Sequence, residues 1–145
     1  MQISSRFTIA IHVLTAIDIF KEDFKTTSEL LASSVHTNPV VIRRILQQLK
    51  AADLIEVARG SGGASLKKPP AQITLLDVYH AVDCVESGEL FHFHENPNEM
   101  CPVGRNIHAV LDGKLMKMQE ALENEMKKTT LADILDETRR LIDET

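Results

Sequence analysis

The sequence predicts a mainly α fold: a helix-turn-helix, a two-stranded β-wing, and a long C-terminal helix suited to pairing two copies. Three observations predict it. Residues 26–51 carry two short helical patterns separated by a tight polar turn. Residues 54–68 then read as strand, glycine tip and basic strand. An apolar seam at spacings of four and three runs from Val103 to Met126.

Taken in order, residues 4–22 form the first helical pattern. Phe7, Ala10, Leu14 and Ile17 make one apolar stripe, and Ile9, Val13, Ala16 and Phe20 make a second. So wide an arc buries a helix on more than one side, one in the domain core and one toward a partner subunit. Thr26 and Glu29 have the spacing of a capping box and open a short helix whose Leu30, Leu31 and Val35 face inward. Asn38 and Pro39 restart the chain as a second helix, Asn by capping free N–H groups and Pro by losing no useful donor. On that helix Ile42, Ile45, Leu46 and Leu49 share one arc, leaving Val40, Arg43, Arg44 and Gln47 on the other.

Leu54 to Ala58 reads as a strand and Ala64 to Lys67 as its partner, joined through Arg59, Gly60, Ser61, Gly62 and Gly63. Glycines permit positive φ at so narrow a tip. A nucleotide-binding phosphate loop is excluded, because no Gly-Lys-Ser/Thr follows and no helix starts there. Pro69 and Pro70 end the wing, and Thr74 with Asp77 opens a capped helix bearing Leu75, Val78, Tyr79 and Val82. Cys84 to Met100 reads as a long loop, a functional candidate on length alone. Pro102 then begins the long helix, whose Ile107, Leu111, Leu115, Met118, Leu122 and Met126 are the expected dimer contacts. Thr130 and Asp133 start a last amphipathic helix.

The formal net charge of −5 argues at first against nucleic acid. Its distribution argues the other way. Residues 1–70 hold nine Lys/Arg against six Asp/Glu, whereas residues 71–145 hold seven against fifteen. A basic part beside an acidic part is what a chain needs if one face meets phosphate and the other does not. On the exposed helical arc, Arg can hold a guanine edge with two hydrogen bonds and Gln can hold adenine. Arg59, Lys67 and Lys68 on the wing suit the sugar–phosphate backbone. The expected partner is double-stranded DNA, read by a homodimer at a pseudo-palindromic operator. The division expected is a DNA-binding unit over 1–68, a linker helix and sensor loop over 69–100, and dimerisation and C-terminal helices over 101–145.

Other classes are weaker. A winged-helix adaptor that binds protein through the acidic half, without reading DNA, is the alternative. No nucleophile elbow, Walker loop, paired zinc motif or dinucleotide fingerprint occurs, so an enzyme is not expected. No run of 18 apolar residues exists and Met1 to Arg6 lacks a leader pattern, which points to a cytoplasmic protein without a membrane partner.

The run NPVVIRRILQQLKAADLI, the wing RGSGGASL and the following ITLLDVYHAV resemble the Rrf-two family of bacterial winged-helix regulators, which includes IscR, NsrR and CymR. The stretch HENPNEMCPVGRNI looks more specifically like the YwnA-type branch. The resemblance runs from about residue 3 to residue 130. It implies a homodimeric transcription regulator, usually a repressor. It also implies recognition-helix positions at Asn38, Pro39, Val40, Arg43, Arg44 and Gln47, and a wing over Arg59 to Gly63, with Ser61 and Gly62 at its tip. Asp53 stands where the family usually has glycine, and Ala64 where glycine or an aromatic often follows. Cluster-binding members have three closely spaced cysteines before the long helix. Here only Cys84 and Cys101 occur, so an iron–sulfur site is not carried over and no cofactor is expected.

Cys101 precedes Pro102 and thus a helix N-terminus, whose dipole stabilises a thiolate, with Arg105 adding and Glu95 and Glu99 opposing. It is the candidate thiol switch. His92 and His94 point to one side of an extended segment, and with Cys101 they outline a weak metal-site candidate.

Overall fold

The computed structural model describes residues 3–60, 62–82 and 90–145. Six helices and one hairpin follow each other as α1 (Arg6–Phe20), α2 (Ser28–Val35), α3 (Pro39–Ala51), β1 (Ile55–Val57), β2 (Ala64–Leu66), α4 (Leu75–Ala81), α5 (Pro102–Lys128) and α6 (Leu131–Asp143). A 3-10 turn at Pro70–Gln72 joins wing to α4. Among the described residues no helix is long and apolar enough to cross a membrane.

The core forms where the apolar arcs of the sequence converge. Ala10, Val13, Leu14 and Ile17 of α1 meet Leu31 of α2 and Ile42, Ile45 and Leu49 of α3, all buried. Leu54 and Ile55 carry this core into the wing, and Ile73, Val78 and Tyr79 close it from the α4 side. Leu131 and Leu135 of α6 are also fully buried, so the last helix packs into the same core as α1. A buried carboxylate marks that seam: Asp18 of α1 accepts from Arg139 of α6 and from Lys21. Removing either cation would leave part of a desolvated charge uncompensated.

Three helix starts show how local signals were used. Thr74 with Asp77, and Thr130 with Asp133, form reciprocal capping boxes. The two capped turns lie side by side. Leu75 N–H donates to Thr129 O at 3.0 Å, and Leu131 N–H donates to Ile73 O at 2.8 Å. The third start differs from its sequence reading. Thr27, not Thr26, caps α2, its hydroxyl accepting from Leu30 N–H at 3.3 Å. Thr26 is buried and its hydroxyl donates to Ala64 O, while its own carbonyl accepts from Ala64 N–H at 3.0 Å. Thr26 is therefore a pairing partner of the wing, and Glu29 is released from any reach back to the cap.

The seam expected along α5 divides in two. Met126 is buried within this chain's own core and Leu122 packs against it. Ile107, Leu111 and Leu115 are half-buried, and Met118 lies exposed with Val103, Val110 and Met116. The C-terminal end of α5 thus anchors the helix, and the rest of its apolar surface is left outward.

Candidate nucleic-acid interface

The turn between α2 and α3 is set by His36, which ends α2 in the left-handed region at φ 61° with its N–H on Ala32 O. Asn38 then caps α3, its side-chain oxygen accepting from Val40 N–H at 2.8 Å, with Pro39 at the first helical position. These two devices fix the crossing of α3 over α2. Ile42, Ile45, Leu46 and Leu49 hold one face of α3 in the core, and Val40, Arg43, Arg44 and Gln47 are exposed on the other. Val40, at the start of α3, is 56% exposed.

The wing stands beside that face. β1 and β2 pair antiparallel with Ile55 opposite Leu66 and Val57 opposite Ala64. Ala58 N–H donates to Gly63 O at 2.9 Å across the tip. Gly60 and Gly63 take positive φ of 71° and 80°. At Gly63 a Cβ would lie 2.8 Å from Thr26 N, so this position is glycine for close approach as well as for conformation. Asp53, at φ 61°, supplies the left-handed residue for which the resembling family uses glycine. Aspartate tolerates that conformation, and its carboxylate accepts from Lys67 at 3.1 Å.

Together α2, α3 and the wing wall an open groove lined by Thr27, Glu29, Arg43, Gln47, Lys50 and Gly60. Arg59, Lys67 and Lys68 are exposed nearby in the chain, and Gly62 is exposed at the tip. Ser61 lies outside the described residues. Glu29 was not foreseen as part of this surface. Its Oε1 accepts from Arg43 Nη2 at 3.0 Å. Its carboxyl is held below the usual carboxylate range by its own backbone N–H, then by Arg43 and Ser28. The pair consequently persists to lower pH than one made by an ordinary glutamate.

Around the start of α5 the arrangement departs from the sequence reading. Cys101 is the N-cap of α5, and the backbone N–H groups of Gly104 and then Val103 hold its thiol below the usual cysteine range. These backbone donors, rather than the charge of Arg105, produce the effect. Gly104 is needed here, since a Cβ would lie 2.4 Å from Asn98 O, where the preceding loop folds against the helix. His92 and His94 line a separate pocket with Phe93, Glu95, Asn96, His108 and Asp112, and Cys101 is not among its walls. His94 stacks on His108 with ring centroids 5.3 Å apart, and His108 Nδ1 lies 3.0 Å from Asp112 Oδ1. Among the described residues no three His, Cys, Asp or Glu side chains are placed to hold a metal ion. Cys84 lies outside the described residues.

Comparison with known proteins gives four concordant findings. Residues 3–137 match the family model described as "Rrf2: Iron-dependent Transcriptional regulator". YwnA of Bacillus subtilis (strain 168), which bears the name of an HTH-type transcriptional regulator, is 49% identical over 134 residues, spanning 92% of this chain and 97% of YwnA. A crystal structure described as that of a DNA-binding protein is similar with a TM-score of 0.71 at 44% identity, covering 90% of this chain and 99% of that one. A transcriptional-regulator structure from Lactobacillus plantarum has a TM-score of 0.76 at 25% identity, covering 93% and 90%.

Proposed function

The chain belongs to the Rrf2 family of transcriptional regulators, and from that membership we propose that it is a cytoplasmic repressor acting as a homodimer on a pseudo-palindromic DNA operator. The family is one of regulators rather than enzymes, and DNA is the partner it implies. A winged-helix adaptor without DNA reading is not favoured.

One observation carries the specific reading: α3 presents Val40, Arg43, Arg44 and Gln47 outward from a capped N-terminus, directly beside a wing bearing Arg59 and Lys67. The N-terminal part of such a helix reaches base edges in the major groove, while the wing contacts phosphates. Dimerisation is supported by α5. Its 27 residues span about 40 Å at 1.5 Å per residue, and Val103 and Met118 on it are 70% and 56% exposed. A second copy laid along the same helix covers this surface by two-fold symmetry. The test is selection of genomic fragments by the purified protein. The expected motif has two inverted half-sites about 10 base pairs apart, centre to centre. Enrichment of fragments without a shared motif would overturn sequence-specific reading.

The family description names iron, and the donors here do not fit an iron–sulfur cluster. Such clusters are held mainly by cysteine thiolates, commonly four, and the sequence has two cysteines. The described His, Cys, Asp and Glu side chains do not supply a metal-holding group either. We therefore infer that regulation does not run through an iron–sulfur cluster held by three cysteines of one chain.

Cys101 supports a thiol-based signal. Its lowered pKa means that thiolate persists to lower pH than in an ordinary cysteine. In a Cys84→Ser protein, alkylation of Cys101 should reach half-maximal rate at lower pH than alkylation of a cysteine in an unstructured peptide measured alongside. A midpoint at or above that of the peptide would remove the helix-terminus effect. Mild peroxide should weaken operator binding by the parent and leave Cys101→Ser unaffected.

A further inference from the structure

The cations on the DNA-facing surface are of two kinds. Arg44, Arg59 and Lys68 form no ion pair among the described residues, whereas Arg43 is held by Glu29 at 3.0 Å and Lys67 by Asp53 at 3.1 Å. Glu29 lies in the first turn of α2 and lines the same groove as Arg43. Its carboxylate is available for this contact because Thr27 caps the helix and Thr26 is committed to the wing.

From this geometry we propose that Glu29 is a specificity-determining positioning residue, which orients Arg43 toward a base edge and withholds it from phosphate. The inference rests on the DNA-binding reading above. A guanidinium has five N–H donors in a rigid fork. Glu29 occupies one side of that fork, leaving other donors for the paired acceptors O6 and N7 of guanine. Phosphate meets a different situation. An incoming phosphate oxygen finds Arg43 already neutralised and a second negative charge beside it, so the counterion-release gain that drives non-specific binding is reduced at this position. Guanine carries no such charge and is not repelled. Glu29 thus lowers affinity for arbitrary DNA more than affinity for the operator, and the ratio between them rises. Lys67 and Asp53 are a contrasting pair, since lysine offers a point charge rather than a fork and sits at the wing.

The test compares Glu29→Gln with the parent on operator and scrambled duplexes across a salt series. In Glu29→Gln, affinity for scrambled DNA should rise about two- to fivefold for each protomer that engages, the range that an exposed ion pair of this kind restrains. The salt slope on scrambled DNA should steepen by about one unit for each such protomer, as its Arg43 engages phosphate. Operator affinity should change less, so discrimination falls. On an Arg43→Ala background the same substitution should lose most of its effect. If Glu29→Gln acts as strongly there, it is a general repulsive charge and the proposal is overturned. If the parent discriminates operator from scrambled DNA and Glu29→Gln changes neither scrambled affinity nor slope, the proposal fails while the DNA-binding reading stands. If the parent binds neither duplex in a salt-dependent way, both fail.

Discussion

Arg43→Ala should cut affinity for the selected operator by about 1–3 kcal/mol per half-site, the discrimination that a bidentate arginine–guanine contact supplies. The loss should be concentrated at one base pair of each half-site. Substituting that base pair in the operator should weaken the parent and leave Arg43→Ala nearly indifferent. The position of Arg43 explains why. It stands one turn into α3, on the exposed arc, with its guanidinium already fixed by Glu29 in the groove. Lys68→Ala should behave differently. Lys68 is an exposed cation just beyond the wing, so its loss should weaken binding to all sequences and flatten the salt slope by about 0.9 per protomer, or about 1.8 for the dimer. Binding assays on an operator series measure both. If Arg43→Ala lowers affinity equally for every sequence, Arg43 is a phosphate contact and not a reader.

Gly63→Ala should destabilise the wing strongly. Two costs add. A non-glycine residue at φ 80° carries left-handed strain of roughly 1–3 kcal/mol. The new Cβ would also lie 2.8 Å from Thr26 N and 3.1 Å from Thr26 C and O, backbone atoms that cannot rotate aside. Overpacking of this kind typically adds about 1–3 kcal/mol. With about 2–4 °C of Tm lost per kcal/mol in a chain of this size, a drop of at least about 4 °C is expected. DNA affinity should fall as well, because the Thr26–Ala64 hydrogen bonds that seat the wing must stretch. Gly60→Ala is the control. Gly60 has φ 71° but open space around a Cβ, so only the conformational cost applies. Equal thermal shifts in the two variants would mean that contact with Thr26 contributes nothing.

Where periodicity and capping chemistry governed an element, the sequence was sufficient to find it. The two-arc pattern of 39–51, the Asn38-Pro39 start and the Thr–x–x–Asp boxes at 74 and 130 each depend on residues within one or two turns. The structure places them where local rules put them. Thr26 and Thr27 show the limit of such rules. Either threonine can cap, and the choice is made by a strand 38 residues away, because Thr26 is needed by Ala64. The same tertiary choice frees Glu29 for Arg43, a pair 14 residues apart with no signature in composition or spacing. On α5 a regular seam was visible, but not where this chain's own core would stop using it, at Leu122 and Met126. His108 and Asp112 were missed beside His94 because the loop that brings them together has no period. Asp53, read as a departure from the family's glycine, adopts a left-handed conformation of the kind glycine favours and supplies a carboxylate for Lys67.

The central claim is that the α3 and wing face meets the phosphate backbone of DNA while reading its bases. Equilibrium affinity for the operator across a salt series tests it most directly. With about six to ten phosphate contacts per dimer, log K should fall linearly with log salt at a slope near −5 to −9, losing about 10³–10⁵ in affinity between roughly 50 and 200 mM. A slope near zero on operator DNA would contradict the claim.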